Sequence, residues 1–208
     1  SVLPLIAGDL GTGAADAALT VSAATVGLAV SVLGWAALAD RIGRVQAMTI
    51  SITAATILGV LVPLAPNSAM LLSGRFVEGL MLGGVPAIAI AYLTEEVDAG
   101  NAARAAGSYV AGTTIGGLAG RLVTGPLAEH VGWRMGVLAV AALCGLSAVA
   151  FMRLVPPARA FQPSRGAESI RRLLGNLRSA HQLALYAQAF LLMGGFVAIY
   201  NVLGFRLT

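Results

Sequence analysis

LADRIGR, residues 38–44, is a short charged segment between two long apolar stretches. Residues 17–39 carry no charged side chain, and residues 45–74 carry none either. Uncharged stretches of about 18 residues or more form helices long enough to cross the ~30 Å hydrocarbon core of a bilayer. The segment and its flanks therefore predict two membrane-spanning helices joined by a tight, charged turn.

The composition of the whole chain points to a helical membrane protein. Hydrophobic residues make up 58% of the 208 residues and charged residues only 11%, whereas a soluble domain carries about 25% charged residues. In lipid every backbone polar group needs an internal partner, so the choice is between helices and a closed barrel. The apolar stretches are unbroken rather than alternating, which excludes a barrel and predicts an all-α membrane protein.

Seven helices are predicted from the apolar stretches. They cover residues 1 to about 8, 18–39, 46–63, 68–94, 104–127, 134–152 and 181–205. We interpret the first as the truncated end of a longer helix, and the chain as a fragment. The predicted organisation is a six-helix bundle over residues 1–153, a linker over residues 154–180, and a seventh helix within residues 181–208.

The arginine distribution predicts the orientation. Arginines crowd the turn at residues 38–44, the connection at Arg104 and the linker, and all three regions fall on one side if every helix spans the membrane. Because basic loops stay in the cytoplasm, the Arg-rich side with the linker should be cytoplasmic. Within the linker, apolar residues at 170, 173, 174 and 177 predict a short amphipathic helix on the membrane surface, either a lipid sensor or a tether.

An internal similarity predicts a repeat. LAEHVG, residues 127–132, resembles the opening segment and is followed by Arg134. A shift of three helices would put the two copies on opposite faces of the membrane, as in inverted-topology repeats. Chance similarity of two small-residue turns is the alternative.

Three charged residues lie inside predicted helices: Arg75 and Glu78 in the fourth and Arg121 in the fifth. Arg75 lies eight residues after Asn67, and Arg121 lies eight residues before Glu129. At 1.5 Å per residue, each arginine is therefore ~12 Å from the predicted periplasmic side of the membrane. Glu78 is one turn deeper than Arg75 on the same helix face. We predict a carboxylate flanked by two guanidiniums on a substrate or ion path, with a structural ion pair as the alternative.

The charged turn resembles the signature turn between the second and third helices of the major facilitator superfamily of transporters. The residues that carry the resemblance are Asp40, Arg41, Gly43 and Arg44. The chain departs from the family pattern at Ala36, where glycine is usual, and at Val45, where a basic residue is usual. The resemblance implies the N-terminal bundle and seventh helix of a twelve-helix transporter, with these four residues forming a cytoplasmic gate.

Two further segments resemble motifs of drug:proton antiporters. Leu71-x-x-x-Arg75-x-x-Glu78-Gly79 resembles the fourth-helix motif, in which the arginine is implicated in proton coupling and glutamine commonly stands where this chain has Glu78. The fifth helix resembles the antiporter glycine motif through Gly112, Gly116, Gly117 and Gly120. Gly117 stands where proline is usual, and Arg121 where the last glycine is usual. These glycines should permit close helix packing, with or without a gating role.

The function predicted from the residues and the resemblance is proton-coupled efflux of small molecules by alternating access. A sugar or metabolite facilitator or symporter is the first alternative, and a non-transporting scaffold or inactive fragment is the second. The expected partners are the lipid bilayer of the bacterial inner membrane, a small-molecule substrate, protons and a C-terminal bundle.

Other classes of function have no support in the sequence. Motifs such as HExxH, GxSxG, Walker or CxxC are absent, so we expect no enzyme activity, cofactor or metal. Cys144 is the single cysteine and is interpreted as a small buried hydrophobic residue. Nucleic acid is excluded because no basic stripe interleaved with aromatic residues occurs.

Overall fold

The computed structural model describes residues 3–11, 13–156, 158 and 179–206, and no strand occurs among them. The helices are α1 (Leu3–Leu10), α2 (Ala14–Ile42), α3 (Arg44–Leu61), α4 (Ser68–Leu82), α5 (Gly84–Glu96), α6 (Ala99–Val131), α7 (Trp133–Leu154) and α8 (Ala180–Arg206), with a 3-10 turn at Val62–Leu64. The predicted all-α architecture is confirmed. The predicted amphipathic helix of the linker lies outside the described residues.

Four stretches of the described residues are long and apolar enough to cross a membrane. They are Ala17–Ile42, Arg44–Leu64, Ser68–Glu96 and Trp133–Leu154. Helix α6 has 33 residues, about 50 Å of helix, but it is the least apolar of the helices because it contains Arg104, Arg121 and Glu129 besides several glycines and threonines. Helix α8 has 27 residues and belongs to a second compact unit of the chain.

Many large apolar side chains face outward in this bundle. Val30, Ile115 and Leu146 are each about two-thirds exposed. Such exposure would be unfavourable in water but costs nothing against lipid tails, which are as apolar as the side chains themselves. The outer surface of the bundle therefore agrees with a membrane environment.

The fourth predicted helix is interrupted in the structure. The sequence predicts one helix over residues 68–94, whereas α4 ends at Leu82 and α5 begins at Gly84. Pro86 has no N–H with which to bond the carbonyl of Leu82, and two adjacent glycines favour a break at the same point.

Side chains of neighbouring helices satisfy the carbonyl groups beside this break. The indole Nε1–H of Trp35 on α2 donates to the carbonyl of Leu80 at 2.7 Å, and the hydroxyl of Ser51 on α3 donates to the carbonyl of Met81 at 2.5 Å. Interruptions of a helix in the membrane are tolerated when neighbouring helices supply such partners. The break is therefore a packed junction of three helices.

Helices α2 and α4 approach each other so closely that their backbones touch. A Cβ atom added at Gly79 would lie 2.0 Å from the carbonyl oxygen of Ala24, and one added at Gly27 would lie 2.2 Å from that of Phe76. Glycines allow close approach of helices in membranes, where dispersion contacts rather than the hydrophobic effect drive packing. The α2–α4 contact is the most extensive in the bundle.

Helix α3 packs against four other helices of the bundle. Helix α3 contacts α2, α4, α5 and α7, while α6 packs mainly on α7. One buried apolar cluster lies where α1 ends, and consists of Ile6, Val62, Ala65, Leu71, Ala128 and Trp133. A second lies near the α2–α3 turn and consists of Trp35, Ala39, Ala47, Met48, Ile88 and Ala89.

The two turns of the predicted repeat have the same backbone geometry. Gly43 joins α2 to α3 with φ 103° and ψ 148°, and Gly132 joins α6 to α7 with φ 95° and ψ 154°. These positive φ values favour glycine over any residue with a side chain. The alanines four positions earlier, Ala39 and Ala128, are both buried. The two turns therefore share a backbone conformation as well as a sequence pattern, and the three-helix repeat stays a prediction.

Candidate functional site: a cavity with a buried ion pair

An open cavity of about 810 Å³ lies among the helices of the bundle. Side chains of α1, α2, α3, α4, α6 and α7 form its wall, and most of them are apolar. Its hydroxyl groups are largely engaged within their own helices, as the Thr20 hydroxyl donates to the carbonyl of Ala17 and that of Thr124 to the carbonyl of Gly120, both at 2.6 Å. The wall thus offers few free hydrogen-bonding groups to a bound molecule.

Glu78 and Arg75 are the charged residues of this wall. Nη1 of Arg75 lies 3.0 Å from Oε2 of Glu78, and the side chain of Glu78 is only 12% exposed. The pair follows from the i, i+3 spacing on one helix face. Gly59 of α3 lies opposite Oε1 of Glu78 and leaves room for it. A charge buried in such a wall is expensive unless it is paired, and it often marks a functional site.

The third predicted charge is placed elsewhere. Arg121 is exposed on α6 and does not belong to the cavity wall. Its depth along the helix was inferred from residue counts, which do not determine the direction in which a helix face points. In this structure Glu78 therefore pairs with Arg75, and a role of Arg121 in handling charge stays a prediction.

The glycine motif of α6 also differs from the expected packing. No atom of another described element lies within 4 Å of a Cβ built at Gly112 or Gly116, while Gly120 lies beside Val140 and Gly117 beside Arg121. Among the described residues the close approach of helices occurs at Gly27 and Gly79 instead. A packing or gating role of the α6 glycines stays a prediction.

Arg44 organises the charged turn at the end of α2. Its Nη1 lies 2.6 Å from Oδ1 of Asp40, while Nη2 and Nε donate to Oε1 and Oε2 of Glu95 at 2.8 and 3.2 Å. This bidentate contact between Arg44 and Glu95 is a strong form of ion pair. Gly43 is buried in the turn and Arg41 is exposed. We call Asp40, Arg44 and Glu95 the Arg44 cluster.

The part that Glu95 plays in this cluster was not predicted from the sequence. Glu95 is separated from Arg44 by 51 positions and lies near the end of α5. The available signal was topological, because the fourth predicted helix ends on the same side as the charged turn. The cluster thus fastens the α2–α3 turn to the end of α5.

A second polar cluster, also missed, lies at the opposite end of the bundle. The Nε1–H of Trp133 donates to Oδ2 of Asp9 at 3.0 Å, and Nη1 of Arg134 donates to the same oxygen. Arg134 also donates from Nε to the carbonyl of Pro63 at 3.1 Å, and its guanidinium lies 4.6 Å from the centre of the Trp133 ring. We call Asp9, Trp133 and Arg134 the Asp9 cluster.

The Asp9 cluster stabilises the ionised carboxylate. The hydrogen bond from Trp133, followed by that from Arg134, lowers the pKa of Asp9 below its ordinary value of 3.8. Asp9 therefore carries its charge at any physiological pH. No group of three or more His, Cys, Asp or Glu side chains among the described residues is placed to hold a metal ion.

The helices are long enough to span a bilayer, and the outer surface of the bundle is compatible with lipid. Together with a cavity that holds a buried ion pair, these features define a multi-pass α-helical membrane protein of the transporter type. The sequence matches the model of the Major Facilitator Superfamily over residues 1–207. The chain belongs to this superfamily.

Individual relatives are also transporters by name. The chain is 36% identical over 188 residues to an uncharacterized MFS-type transporter, YybF, of Bacillus subtilis, covering 89% of this chain and 46% of that protein. It is 32% identical over 208 residues to the inner membrane transport protein YnfM of Escherichia coli, covering 99% and 50%. A putative metabolite transport protein of Haemophilus influenzae is 34% identical over 134 residues, covering 64% and 33%. The chain thus spans about half the length of the first two relatives.

Proposed function

We propose that this chain is part of a secondary transporter that couples the efflux of small molecules to proton movement by alternating access. The observation that carries the proposal is Glu78, a buried carboxylate on the wall of an apolar cavity, held by Arg75. The cavity volume lies within the range of about 300–1,000 Å³ that is typical of small-molecule sites. In the whole protein a second bundle would complete the binding site.

Glu78 suits proton coupling because two opposing influences act on it. Burial in an apolar wall favours the neutral form of a carboxylate, and an adjacent guanidinium favours the charged form. When such influences nearly balance, a bound substrate or a change in hydration can decide whether the proton is held. Protonation of Glu78 would also release Arg75 from its partner, which provides a link between proton binding and conformation.

The Arg44 cluster is proposed to act at a gate. Asp40 and Arg44, with Arg41 and Gly43 in the same turn, would form a latch against the second bundle on the cytoplasmic side. The contact between Arg44 and Glu95 supports this role, because it makes the turn a rigid part of the first bundle. A rigid turn can transmit movement of the bundle to the gate.

The proposed location is the bacterial inner membrane, with the Arg-rich linker in the cytoplasm. The arginine distribution supports this orientation, and the E. coli relative is named an inner membrane protein. In this orientation the Asp9 cluster lies on the outer side of the membrane and the Arg44 cluster on the inner side.

A metabolite facilitator is the second candidate. The H. influenzae relative is named a putative metabolite transport protein, which supports a metabolite as the substrate. In a facilitator the Arg75–Glu78 pair would be a structural link that holds no transported proton. The two candidates differ in what they require of Glu78.

The experiment that separates them uses the full-length protein in liposomes. Glu78→Gln should abolish efflux driven by a pH gradient while substrate exchange continues, because glutamine keeps the shape but cannot exchange a proton. Asp40→Asn should slow both modes, since it weakens the gate. Glu129→Gln, which alters an exposed carboxylate at a helix end, is the matched control. Undiminished gradient-driven efflux by Glu78→Gln would favour the facilitator.

A further inference from the structure

The guanidinium of Arg75 is only partly used by its ion pair. Nη1 donates to Oε2 of Glu78 at 3.0 Å, and within the described part of the chain the guanidinium forms no other hydrogen bond. An arginine carries five N–H donors in a planar fork that fits a carboxylate. No polar side-chain atom of the described residues is both buried and without a partner. The remaining donors of Arg75, which lines the cavity, are therefore open to a molecule bound there.

The rest of the cavity wall contributes almost no charge. Its titratable groups are Arg75 and Glu78 on α4 and Cys144 on α7, while the described lining residues of α1, α2, α3 and α6 do not titrate. A thiol of ordinary acidity is largely neutral at pH 7. The charge inside the cavity therefore depends on the Arg75–Glu78 pair.

The two members of this pair differ in how they can respond to a charged substrate. A guanidinium keeps its charge at every physiological pH, whereas a carboxylate can be neutralised by one proton. The side chain of Arg75 is also the more accessible of the two, 26% exposed against 12% for Glu78. Only Glu78 can therefore give up its charge when a substrate takes its place.

This difference selects the charge of the substrate. An organic cation bound to Glu78 would leave two positive charges, its own and that of Arg75, against one carboxylate in an apolar wall. An organic anion bound to Arg75 displaces Glu78, which then takes a proton from water and becomes neutral. The second arrangement carries no net charge, and a net charge buried among apolar groups is costly. The cavity therefore favours an anion over a cation.

We propose that the substrates are apolar organic acids, whose carboxylate binds Arg75 while Glu78 takes up a proton. The apolar body of the acid would lie against the apolar side chains of the wall. The proposal rests on the proton-coupled function proposed above and names its substrate class. Because acid and proton occupy the site together, they cross the membrane in the same direction, and an outward gradient of either drives efflux of the other.

The test is a binding measurement on the full-length protein in detergent by isothermal titration calorimetry. The probes share one ring system and differ in charge: naphthoate, neutral naphthamide and cationic naphthylmethylammonium. Between about pH 6 and pH 8 an ordinary carboxylic acid, with a pKa near 4, remains ionised in solution. Titration in two buffers with different enthalpies of ionisation gives the number of protons taken up with each probe.

Naphthoate should bind most tightly and take up close to one proton. One proton per ligand corresponds to an affinity that falls about tenfold for each unit of rising pH. Glu78→Gln should bind naphthoate at least as tightly as the unchanged protein but without proton uptake, because glutamine is a weaker competitor for Arg75. Damage to the fold would not produce that combination.

Substitution of Arg75 should have the opposite effect on affinity. Arg75→Gln should weaken naphthoate binding about tenfold or more, as expected for the loss of a charged hydrogen bond, and Arg75→Lys should restore part of it. Glu129→Gln, which changes an exposed carboxylate outside the cavity wall, should leave affinity and proton uptake unchanged.

Several results would overturn the proposal. Tightest binding of the ammonium probe would indicate organic cations, and tightest binding of the amide would indicate neutral metabolites. Absence of naphthoate binding even to Glu78→Gln, binding unaffected by Arg75→Gln, or binding without proton uptake would each contradict it as well. Because no gradient or transport is involved, a negative result here leaves the efflux experiment on Glu78 standing, and failure of that experiment leaves this one standing.

Discussion

Gly79→Ala should destabilise the bundle because it places a methyl group inside a backbone contact. The added Cβ would lie 2.0 Å from the carbonyl oxygen of Ala24 and 2.9 Å from its Cα. Ordinary C···O contacts are about 3.3 Å or longer, so α2 and α4 must separate by about 1 Å. No side chain can rotate away to relieve the clash, since the atoms that it meets belong to the backbone.

The magnitude follows from two opposing contributions. Overpacking a tight contact costs about 1–3 kcal/mol, and a clash with backbone belongs at the upper end. Alanine is favoured over glycine in a helix by about 1 kcal/mol. The net loss for Gly79→Ala is therefore about 2 kcal/mol, which corresponds to a lower Tm by about 4–8 °C for a domain of this size.

The assay is thermal unfolding of the purified full-length protein in detergent, followed by loss of the monodisperse peak in size-exclusion chromatography. Gly34→Ala is the matched control, because it makes the same substitution on α2 where no atom of the described part of the chain lies within 4 Å of the new Cβ. It should leave the Tm unchanged or raise it slightly. Equal Tm values for the two variants would refute the reasoning about the α2–α4 contact.

Two further predictions concern the charged clusters. The effects of Arg44→Gln and Glu95→Gln on the free energy of unfolding should be non-additive, with a coupling energy of about 1 kcal/mol for a partly exposed bidentate ion pair. Arg41→Gln should have no effect on the Tm. Additive effects of the two substitutions would contradict the pairing. Asp9→Asn should lower the Tm by a constant amount between pH 8 and pH 5. Because the folded-state pKa of Asp9 is depressed, its contribution is present above the unfolded pKa, near 3.9, and is lost as the pH falls through the folded value; a difference that already vanishes near pH 6 would contradict this.

Helix ends illustrate how far local signals reach. Sequence analysis placed the second helix at 18–39 and the fifth at 104–127, whereas the structure extends them to Ala14–Ile42 and Ala99–Val131. The predicted helices end where charged residues begin. A charged residue, however, marks only the end of the segment that lies in the hydrocarbon core, not the end of the helix itself. The backbone continues to coil in the interfacial region until Gly43 or Gly132 stops it at positive φ.

The sequence by itself determined the all-α membrane architecture, the approximate helices and the Arg75–Glu78 pair. Uninterrupted apolar spans are required by the thickness of the bilayer, and residues three apart meet on any helix. Both are local or compositional properties, so no knowledge of helix packing was needed.

Only the tertiary structure decided which helices meet. Arg44 finds Glu95 across 51 positions, and Arg134 finds Asp9 across 125. In a water-soluble protein an apolar stripe would mark the buried face of each helix. Here lipid and protein interior are equally apolar, so side-chain polarity does not reveal which face of a helix packs inward. That choice depends on shape and on a few polar contacts between distant residues, which appear once the helices are assembled.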